Sequence, residues 1–257
     1  MIYAGIDIGS LTVEAALLDE DENVISTGFG YTGARPIESG KRVLDEALKK
    51  ANSRLEDIYL IATGYGRVSF PLAKSTITEI TCHAKGARKI LANVRTVIDI
   101  GGQDSKAIAL DEQGKVADFA MNDKCAAGTG RFLEVMARAL EVKLDDLGEL
   151  ALAHKKTIKV SSTCTVFAES EVVSLVAEGH DTRDILWGVI SAISDRIAAL
   201  AQRVGVKPPV MLTGGVAKNS AVKAALEKKL GAEIFIPPDP QIVGALGAAL
   251  LAREKAR

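Results

Sequence analysis

Two short acidic, glycine-containing stretches hold the residues best suited to chemistry. Residues 5–12 read GIDIGSLT and residues 97–104 read VIDIGGQD, and in each an apolar run ends in an aspartate followed by a glycine turn. Glycine lets backbone N–H groups crowd around an anion, and an aspartate can hold a divalent cation directly or through water. Two such turns facing each other would bind the phosphates of a nucleotide and its magnesium ion.

The two stretches belong to a longer duplication. Aligned without a gap at an offset of 92 residues, the segments 5–24 and 97–116 share nine of twenty residues. One Asp-x-Gly turn alone would favour an ordinary structural hairpin, but two copies at matching positions favour a shared functional role. The sequence therefore predicts two homologous halves, each opening with a β-hairpin that binds phosphate.

Composition limits the possible partners. The 257 residues carry a formal net charge of −1, so no basic field exists to attract nucleic acid or acidic lipid. The apolar stretches are too short for a membrane span, and residues 1–3 lead into the first strand without a signal-peptide pattern. We expect a cytoplasmic protein that binds neither nucleic acid nor membrane.

Hydrophobic periodicity predicts the elements that position the two turns. Strands are predicted near 2–8, 13–18, 23–29, 58–63, 95–100, 105–110, 115–121, 210–213 and 233–236. Helices are predicted near 36–51, 81–92, 129–140, 144–153, 165–178, 182–204, 216–229 and 242–253. The sequence PPDP at 237–240 marks a hinge-like connection. We expect one domain at 1–93 plus 240–257 and a second at 94–239, which contains Cys125 and Cys164.

The chain has no Gly-x-x-x-x-Gly-Lys-Ser/Thr motif, so the phosphate site must be the duplicated hairpin. The duplicated β-β-β-α units and the string MLTGGVAKN at 211–219 resemble the actin, sugar-kinase and heat-shock-chaperone ATPase superfamily along essentially the whole chain. The resemblance implies an α/β fold of duplicated actin-like (ribonuclease H-like) domains with the nucleotide cleft between them. It also implies that Gly214 and Gly215 lie against the adenosine, with Lys218 and Asn219 opening the next helix.

Three further strings restrict the resemblance to one family within this superfamily. DIGGQDSK at 99–106, NDKCAAGTGRFLE at 122–134 and CTVFAESE at 164–171 resemble the ATP-dependent activator (component A) of 2-hydroxyacyl-CoA dehydratases, a BadF/BadG-type iron-sulfur ATPase. Members of that family are homodimers that inject one low-potential electron into a dehydratase, and related members serve benzoyl-CoA reductases or other reductases. The resemblance implies ATP or ADP with Mg²⁺, one bridging 4Fe-4S cluster per homodimer, a dehydratase or reductase partner, and a ferredoxin or flavodoxin donor.

Cys125 and Cys164 are the candidate metal ligands. Each precedes an apolar pattern with helical spacing, and a helix N-terminus stabilises a thiolate and an anionic cluster. A cubane cluster needs four thiolates, so two chains would each supply a pair across a two-fold axis. The residues alone leave open two buried small side chains, an intrachain disulfide, or an interfacial four-cysteine zinc site. Cys82, beside His83, is expected to be a packed or partly exposed thiol.

The expected nucleotide site draws residues from both hairpins. Asp7 and Asp99 hold magnesium, directly or through water, and Gln103 orients the attacking water. The residues expected to contact phosphates are Gly9, Ser10, Thr12, Gly101 and Gly102. Nucleotide bound between the domains then moves the helices that carry the cluster.

Two other functional classes stay open at this point. A small-molecule kinase of the same superfamily would use Asp104 as its catalytic base, although the sequence has no sizeable extra segment for binding an acceptor. A nucleotide-switched regulatory or chaperone-like module would work without redox chemistry, but it would need a peptide-binding segment. Iron content and an absorbance spectrum after anaerobic purification separate all three classes.

Overall fold

The computed structural model describes residues 1–161 and 164–256 and contains two five-stranded sheets, one from each half of the chain. The first sheet has the order β3-β2-β1-β4-β5, built from β1 (Ile2–Ile8), β2 (Thr12–Leu18), β3 (Val24–Tyr31), β4 (Ile58–Thr63) and β5 (Ser75–Thr76). The second has the order β10-β9-β6-β7-β8, built from β6 (Thr96–Ile100), β7 (Ser105–Leu110), β8 (Val116–Asn122), β9 (Val210–Thr213) and β10 (Ile234–Phe235).

Both sheets follow the same pairing scheme. The first two strands of each half pair antiparallel, and the first strand also pairs parallel with a strand that arrives after a helical crossover, β1 with β4 and β6 with β9. The duplication in the sequence is thus a duplication of topology.

Eight α-helices lie within the described residues: α1 (Pro36–Lys50), α2 (Glu79–Ile90), α3 (Gly130–Ala139), α4 (Leu147–Leu152), α5 (Thr165–Ala177), α6 (Thr182–Gln202), α7 (Ser220–Leu230) and α8 (Val243–Ala256). Their ends follow local signals. Pro36 opens α1 with a preset φ, the Asp181 carboxylate accepts the Arg183 N–H to start α6, and Gly231 ends α7 at φ 62°. Within these residues no helix combines the length and apolar character needed to cross a membrane.

Strand β1 is covered on both faces. Ile6 and Ile8 pack with Leu44 of α1, whereas Tyr3 packs in another core with Ala248 of α8. Successive side chains of a strand point to opposite faces, so the unbroken apolar run of β1 requires a helix on each side. Each fully buried isoleucine or leucine contributes about 2 kcal/mol.

Helices α2 and α8 approach each other through glycines. A Cβ added to Gly247 would lie 1.7 Å from the Cys82 carbonyl oxygen, and one added to Gly86 would lie 2.1 Å from the Val243 carbonyl oxygen. Helix α8 packs against β1, β2 and β4, while α2 also contacts β6 and β7. Helix α2 therefore lies between the two sheets and contacts both halves of the chain.

The domain boundaries at 1–93 plus 240–257 and at 94–239 stay a prediction. The packing of α8 on the first sheet is compatible with the expected return of the last helix. Residues 162–163 and Arg257, which these predicted domains include, lie outside the described residues.

We predict that Gly247→Ala lowers the free energy of unfolding by about 3 kcal/mol, because the new methyl group meets backbone atoms that cannot rotate away. Denaturant unfolding measures the loss. Lys255→Ala, at an exposed position of the same helix, is the matched control and should change stability by less than about 0.5 kcal/mol. Equal effects of the two substitutions would show that the helices can move apart at little cost.

Candidate nucleotide and metal site

The two glycine turns lie side by side. Asp7 on β1 and Asp99 on β6 are both buried, with 8% and 4% of their surface exposed. A Cβ on Gly102 would lie 2.3 Å from the Leu11 side chain, so the tip of the first hairpin touches the tip of the second. The structure thus brings the two predicted magnesium-binding aspartates into one cleft.

His83 of α2 lies between the two aspartates. Its Nε2 is 3.8 Å from Asp7 Oδ2, and its Nδ1 is 3.7 Å from Asp99 Oδ1. The Thr213 hydroxyl donates a hydrogen bond to Asp99 Oδ1 at 2.9 Å. Sequence reasoning missed His83 because no local motif marks it, and only the packing of α2 between the sheets brings it to the site.

The two aspartates have different electrostatic surroundings. Burial works to raise the pKa of Asp99, but the charges of His83 and Lys106 outweigh it and hold that pKa below its usual value. Lys106 Nζ lies 3.4 Å from Asp99 Oδ2 and 2.8 Å from Asp104 Oδ2. Asp104, the base of the kinase alternative, is therefore ion-paired. Around Asp7, burial prevails over His83 and Lys106 and raises the pKa to about 6.

Glu14 on β2 is a further buried acid that sequence reasoning did not select. It pairs with Asp7 in the β1–β2 register, only 5% of its surface is exposed, and its Oε1 has no hydrogen-bonding partner among the described residues. Burial and then repulsion from Asp7 raise the pKa of Glu14 well above its usual value, and the Thr12 hydroxyl offsets only part of that rise. The first hairpin therefore has two opposed acidic side chains, whereas the second has an aspartate opposed by a lysine.

Thr-Gly pairs end the parallel neighbour strands of both halves. Thr63 and Gly64 follow this pattern after β4, and Thr213 and Gly214 follow it after β9. Both glycines have positive φ, 80° and 84°, and a Cβ would lie 2.2 Å from an Asp7 oxygen at Gly64 and 2.8 Å from an Asp99 oxygen at Gly214. The repeated Thr-Gly pairs are a local sequence signal for this site. Because their glycines lack a Cβ, they leave room for the Asp7 and Asp99 carboxylates.

The predicted phosphate-binding residues lie at the hairpin turns. The Gly9 N–H donates to the Thr12 carbonyl oxygen at 2.9 Å, and the Gly101 N–H donates to the Asp104 carbonyl oxygen at 3.0 Å. These two N–H groups close their own turns, so the tips, Ser10 and Gly102, are the better candidates for donating to a phosphate.

The predicted adenosine-side residues lie on the loop after β9. Gly215 is exposed, and a Cβ added to it would be in van der Waals contact with Gln241 Nε2 at 3.6 Å. The Lys218 ammonium group donates to the Gln241 side-chain oxygen and lies 5.8 Å from the centre of the Phe29 ring. The space beside Gly214, in contrast, is occupied by the Asp99 carboxylate. Lys218 thus reaches from the second half toward β3 of the first.

Asn219 has a structural task. Its side-chain oxygen accepts hydrogen bonds from the backbone N–H groups of Ala221 and Val222, both at 3.1 Å. This cap starts α7 at Ser220, so the helix predicted near 216–229 begins later than expected, after a 3₁₀ turn. The Asn219 side-chain oxygen is already engaged before any nucleotide binds.

The three cysteines have three environments. Cys164 is exposed and is the N-cap residue of α5, as predicted. Cys125 is half-buried and lies in a turn, because α3 begins only at Gly130, and an Arg196 N–H approaches its Sγ at 4.0 Å. Burial raises the pKa of the Cys82 thiol to about 12, which suits a packed residue. All three thiols are free, so the structure does not contain the intrachain disulfide.

The second hairpin is hydrogen-bonded to the start of α3. The N–H groups of the first two α3 residues donate to the carbonyl oxygens of Gly101 and Gly102, both at 2.9 Å. Upstream of that helix, Asn122 Nδ2 donates to the Cys125 carbonyl oxygen at 2.9 Å. A movement of the hairpin can therefore reach the Cys125 turn through a few backbone contacts.

We predict that Asp7→Asn stabilises the nucleotide-free and metal-free protein in a pH-dependent way. The Asp7 pKa rises from 3.8 to about 6 on folding, so the stability that this carboxyl contributes is full below about pH 4 and is lost as the pH rises through 6. The stability of the variant relative to wild type should increase by about 2 kcal/mol between pH 4 and pH 7. Denaturant unfolding at both pH values measures it.

The control for that experiment is Asp45→Asn, at an exposed carboxyl on α1. Its stability difference from wild type should stay within about 0.5 kcal/mol at both pH values. A pH-independent difference for Asp7→Asn would mean that burial does not disfavour the charged form of Asp7.

Residues 4–252 match the model of the BadF/BadG/BcrA/BcrD ATPase family. The activator of lactoyl-CoA dehydratase from Anaerotignum propionicum is 47% identical over 263 residues, covering 100% of this chain and 99% of the relative. The crystal structure of (R)-2-hydroxyglutaryl-CoA dehydratase component A from Acidaminococcus fermentans has a TM-score of 0.96 at 46% identity, covering 100% and 99% of the two chains.

A second solved structure carries a nucleotide analogue. It is the activator of the 2-hydroxyisocaproyl-CoA dehydratase from Clostridium difficile with bound ADPNP, which matches with a TM-score of 0.94 at 42% identity and covers 100% of this chain and 96% of that chain. These similarities confirm the predicted α/β fold of actin-like ATPases and the resemblance found in the sequence strings. The chain belongs to the BadF/BadG/BcrA/BcrD ATPase family.

Proposed function

We propose that this protein is a homodimeric iron-sulfur ATPase that couples ATP hydrolysis to the transfer of a low-potential electron into a 2-hydroxyacyl-CoA dehydratase or a related reductase. The observation that carries the proposal is the hydrogen-bonded connection between the second hairpin and the segment that holds Cys125. This connection supports a continuous unit that holds both a predicted phosphate-binding turn and a candidate metal ligand. The dehydratase activators among its relatives support the choice of partner.

The nucleotide lies in the cleft between the two hairpins in this proposal. Asp7 and Asp99 hold its magnesium ion, directly or through water, and Gln103, which is exposed at the second tip, orients the attacking water. The phosphates contact the two turns, and the adenosine lies near the loop after β9, where Gly215 is exposed. The relative with bound ADPNP supports a nucleotide as the ligand.

The cysteines fit a shared cluster better than a site within one chain. Among the described residues no group of three or more His, Cys, Asp or Glu could hold a metal ion, yet a 4Fe-4S cluster needs four thiolates. Cys125 and Cys164 are both accessible, and two chains together supply four such thiols. When bound, the cluster would carry the single low-potential electron. Arg196 and the N-terminus of α5 place positive charge beside the two sulfurs.

Helix α5 offers an apolar surface for the second copy of the chain. Four of its large apolar side chains are between 46% and 67% exposed, and two of them lie two and three residues after Cys164. These residues are Val166, Phe167, Val173 and Val176. A two-fold axis near Cys164 would bury this surface and bring the four thiols together.

Coupling follows from the backbone connections of the second hairpin. Nucleotide binding shifts the turn at Gly101 and Gly102, and the two hydrogen bonds to α3 pass that shift to the helix and to the Cys125 turn. A ligand can drive such a change only through different affinities for the two arrangements. The electron comes from a ferredoxin or flavodoxin, and the protein works in the cytoplasm, where nucleotide and reduced carriers are supplied.

We predict that Cys125→Ala or Cys164→Ala abolishes cluster binding and weakens the dimer, because either change removes two of the four thiolates in the dimer. Iron content and absorbance after anaerobic purification, together with sedimentation, measure both effects. Cys82→Ala is the matched control and should retain iron and dimer, since this thiol is fully buried in the core. Full iron content in the Cys125→Ala protein would refute the ligand assignment.

We predict that Gln103→Ala keeps ATP affinity within about tenfold of wild type and lowers hydrolysis by at least about tenfold, because a neutral side chain can align water without contributing to magnesium affinity. Nucleotide titration and steady-state phosphate release separate the two effects. Gln113→Ala, at another exposed glutamine of the same half, should leave both unchanged. Unaltered hydrolysis in Gln103→Ala would assign water positioning to another residue.

A further inference from the structure

The two hairpins carry opposite charges at one equivalent position. Glu14 and Lys106 are related by the 92-residue offset of the duplication. In the register, Glu14 lies opposite Asp7 and Lys106 lies opposite Asp99. Directly opposed residues of an antiparallel pair share one face of the sheet, with Cβ atoms about 5 Å apart. Each cleft aspartate therefore faces its hairpin partner across the strands.

The second hairpin is internally balanced, but the first is not. Lys106 lies 3.4 Å from Asp99 Oδ2, so an ammonium group compensates that buried carboxylate. In the first hairpin the same position holds a second carboxylate that is 5% exposed, and its Oε1 has no hydrogen-bonding partner within the described residues. A carboxyl group buried without a partner must either hold its proton or take up a cation, because burying its charged form costs several kcal/mol. A cation from solution would remove that cost.

Other groups around Glu14 add to the negative potential. Asp99 and Asp239 both act on it electrostatically in the same direction as Asp7. The nearest potential cation on the Asp7 side is His83, whose Nε2 lies 3.8 Å from Asp7 Oδ2, beyond hydrogen-bonding distance. The arrangement is open to an ion that takes two carboxylates and completes its shell with water, as Mg²⁺ and Mn²⁺ do.

We propose that Asp7 and Glu14 form a divalent-cation site in the first hairpin, where the metal ion takes the place that the Lys106 ammonium group takes in the second. This ion is the magnesium ion of the proposed function, bound ahead of the nucleotide with Glu14 as an additional ligand, and it offers its remaining positions to Asp99, directly or through water, and to phosphate oxygens. The role of this ion in ATP hydrolysis rests on the proposed function, but its binding to the free protein does not.

Mn²⁺ alone is the probe, added to the full-length, anaerobically purified protein without nucleotide. Electron paramagnetic resonance or equilibrium dialysis should show one Mn²⁺ per chain in the wild type. Glu14→Gln should weaken this binding by at least about tenfold. Glu46→Gln, an exposed acid on α1 that pairs with Arg42, is the control and should bind Mn²⁺ as the wild type does. Absence of binding in the wild type, or equal affinity in Glu14→Gln, overturns the proposal.

Glu14→Lys copies the second hairpin and gives an independent measurement. It should abolish Mn²⁺ binding to the free protein, and the dependence of ADP affinity on Mg²⁺ should shrink by at least about tenfold, because a fixed ammonium group replaces the ion. Unchanged Mg²⁺ dependence contradicts the proposal. Thermal unfolding verifies that both variants fold, with midpoints expected at or above that of the wild type. A protein that lacked iron and ATPase activity but bound Mn²⁺ through Glu14 would refute the proposed function and leave this site standing.

Discussion

The contact between the two halves at the cleft centres on one imidazole that lies between two buried carboxylates, one from each half. His83 lies within 4 Å of Asp7 and Asp99, at 3.8 and 3.7 Å, and it can do so only because α2 runs between the two sheets. That position in turn requires the close approach of α2 to α8 through Gly86 and Gly247, since any larger side chain would meet backbone atoms. The position of His83 in the cleft therefore depends on the close packing of α2 against α8.

The two halves have the same backbone topology but differ in the charge beside the cleft aspartate. Both halves share strand order, pairing direction and a Thr-Gly pair beside the aspartate. The second carries Lys106, which balances Asp99, whereas the first carries Glu14, which adds to the charge of Asp7. The backbone accommodates either residue because Glu14 and Lys106 occupy equivalent positions on their strands. The charge beside the cleft aspartate is, in contrast, negative in the first half and positive in the second.

The sequence predicted the strand and helix positions well because hydrophobic periodicity and the duplication are local signals. The resemblance and the fold class were confirmed by the relatives. Two features escaped prediction because hydrophobic periodicity does not mark them. His83 is brought to the site by α2, and Cys125 lies in a turn well before α3. Asn219 starts α7, as the resemblance implied. The two-residue strand β5, at Ser75–Thr76, is too short to leave a periodic pattern.

The position of α8 has a consequence for how the chain is made. The second half encloses a core formed entirely by its own segments, from Ile98 to Ile234. The first half has one such core around α1, but the other face of its sheet, with Tyr3 and Ile61, is covered by α8. During synthesis, that face of the sheet stays uncovered until α8 has left the ribosome. Strand β1 is therefore made well before the helix that covers its second face, so full burial of this early strand depends on a segment far along the chain.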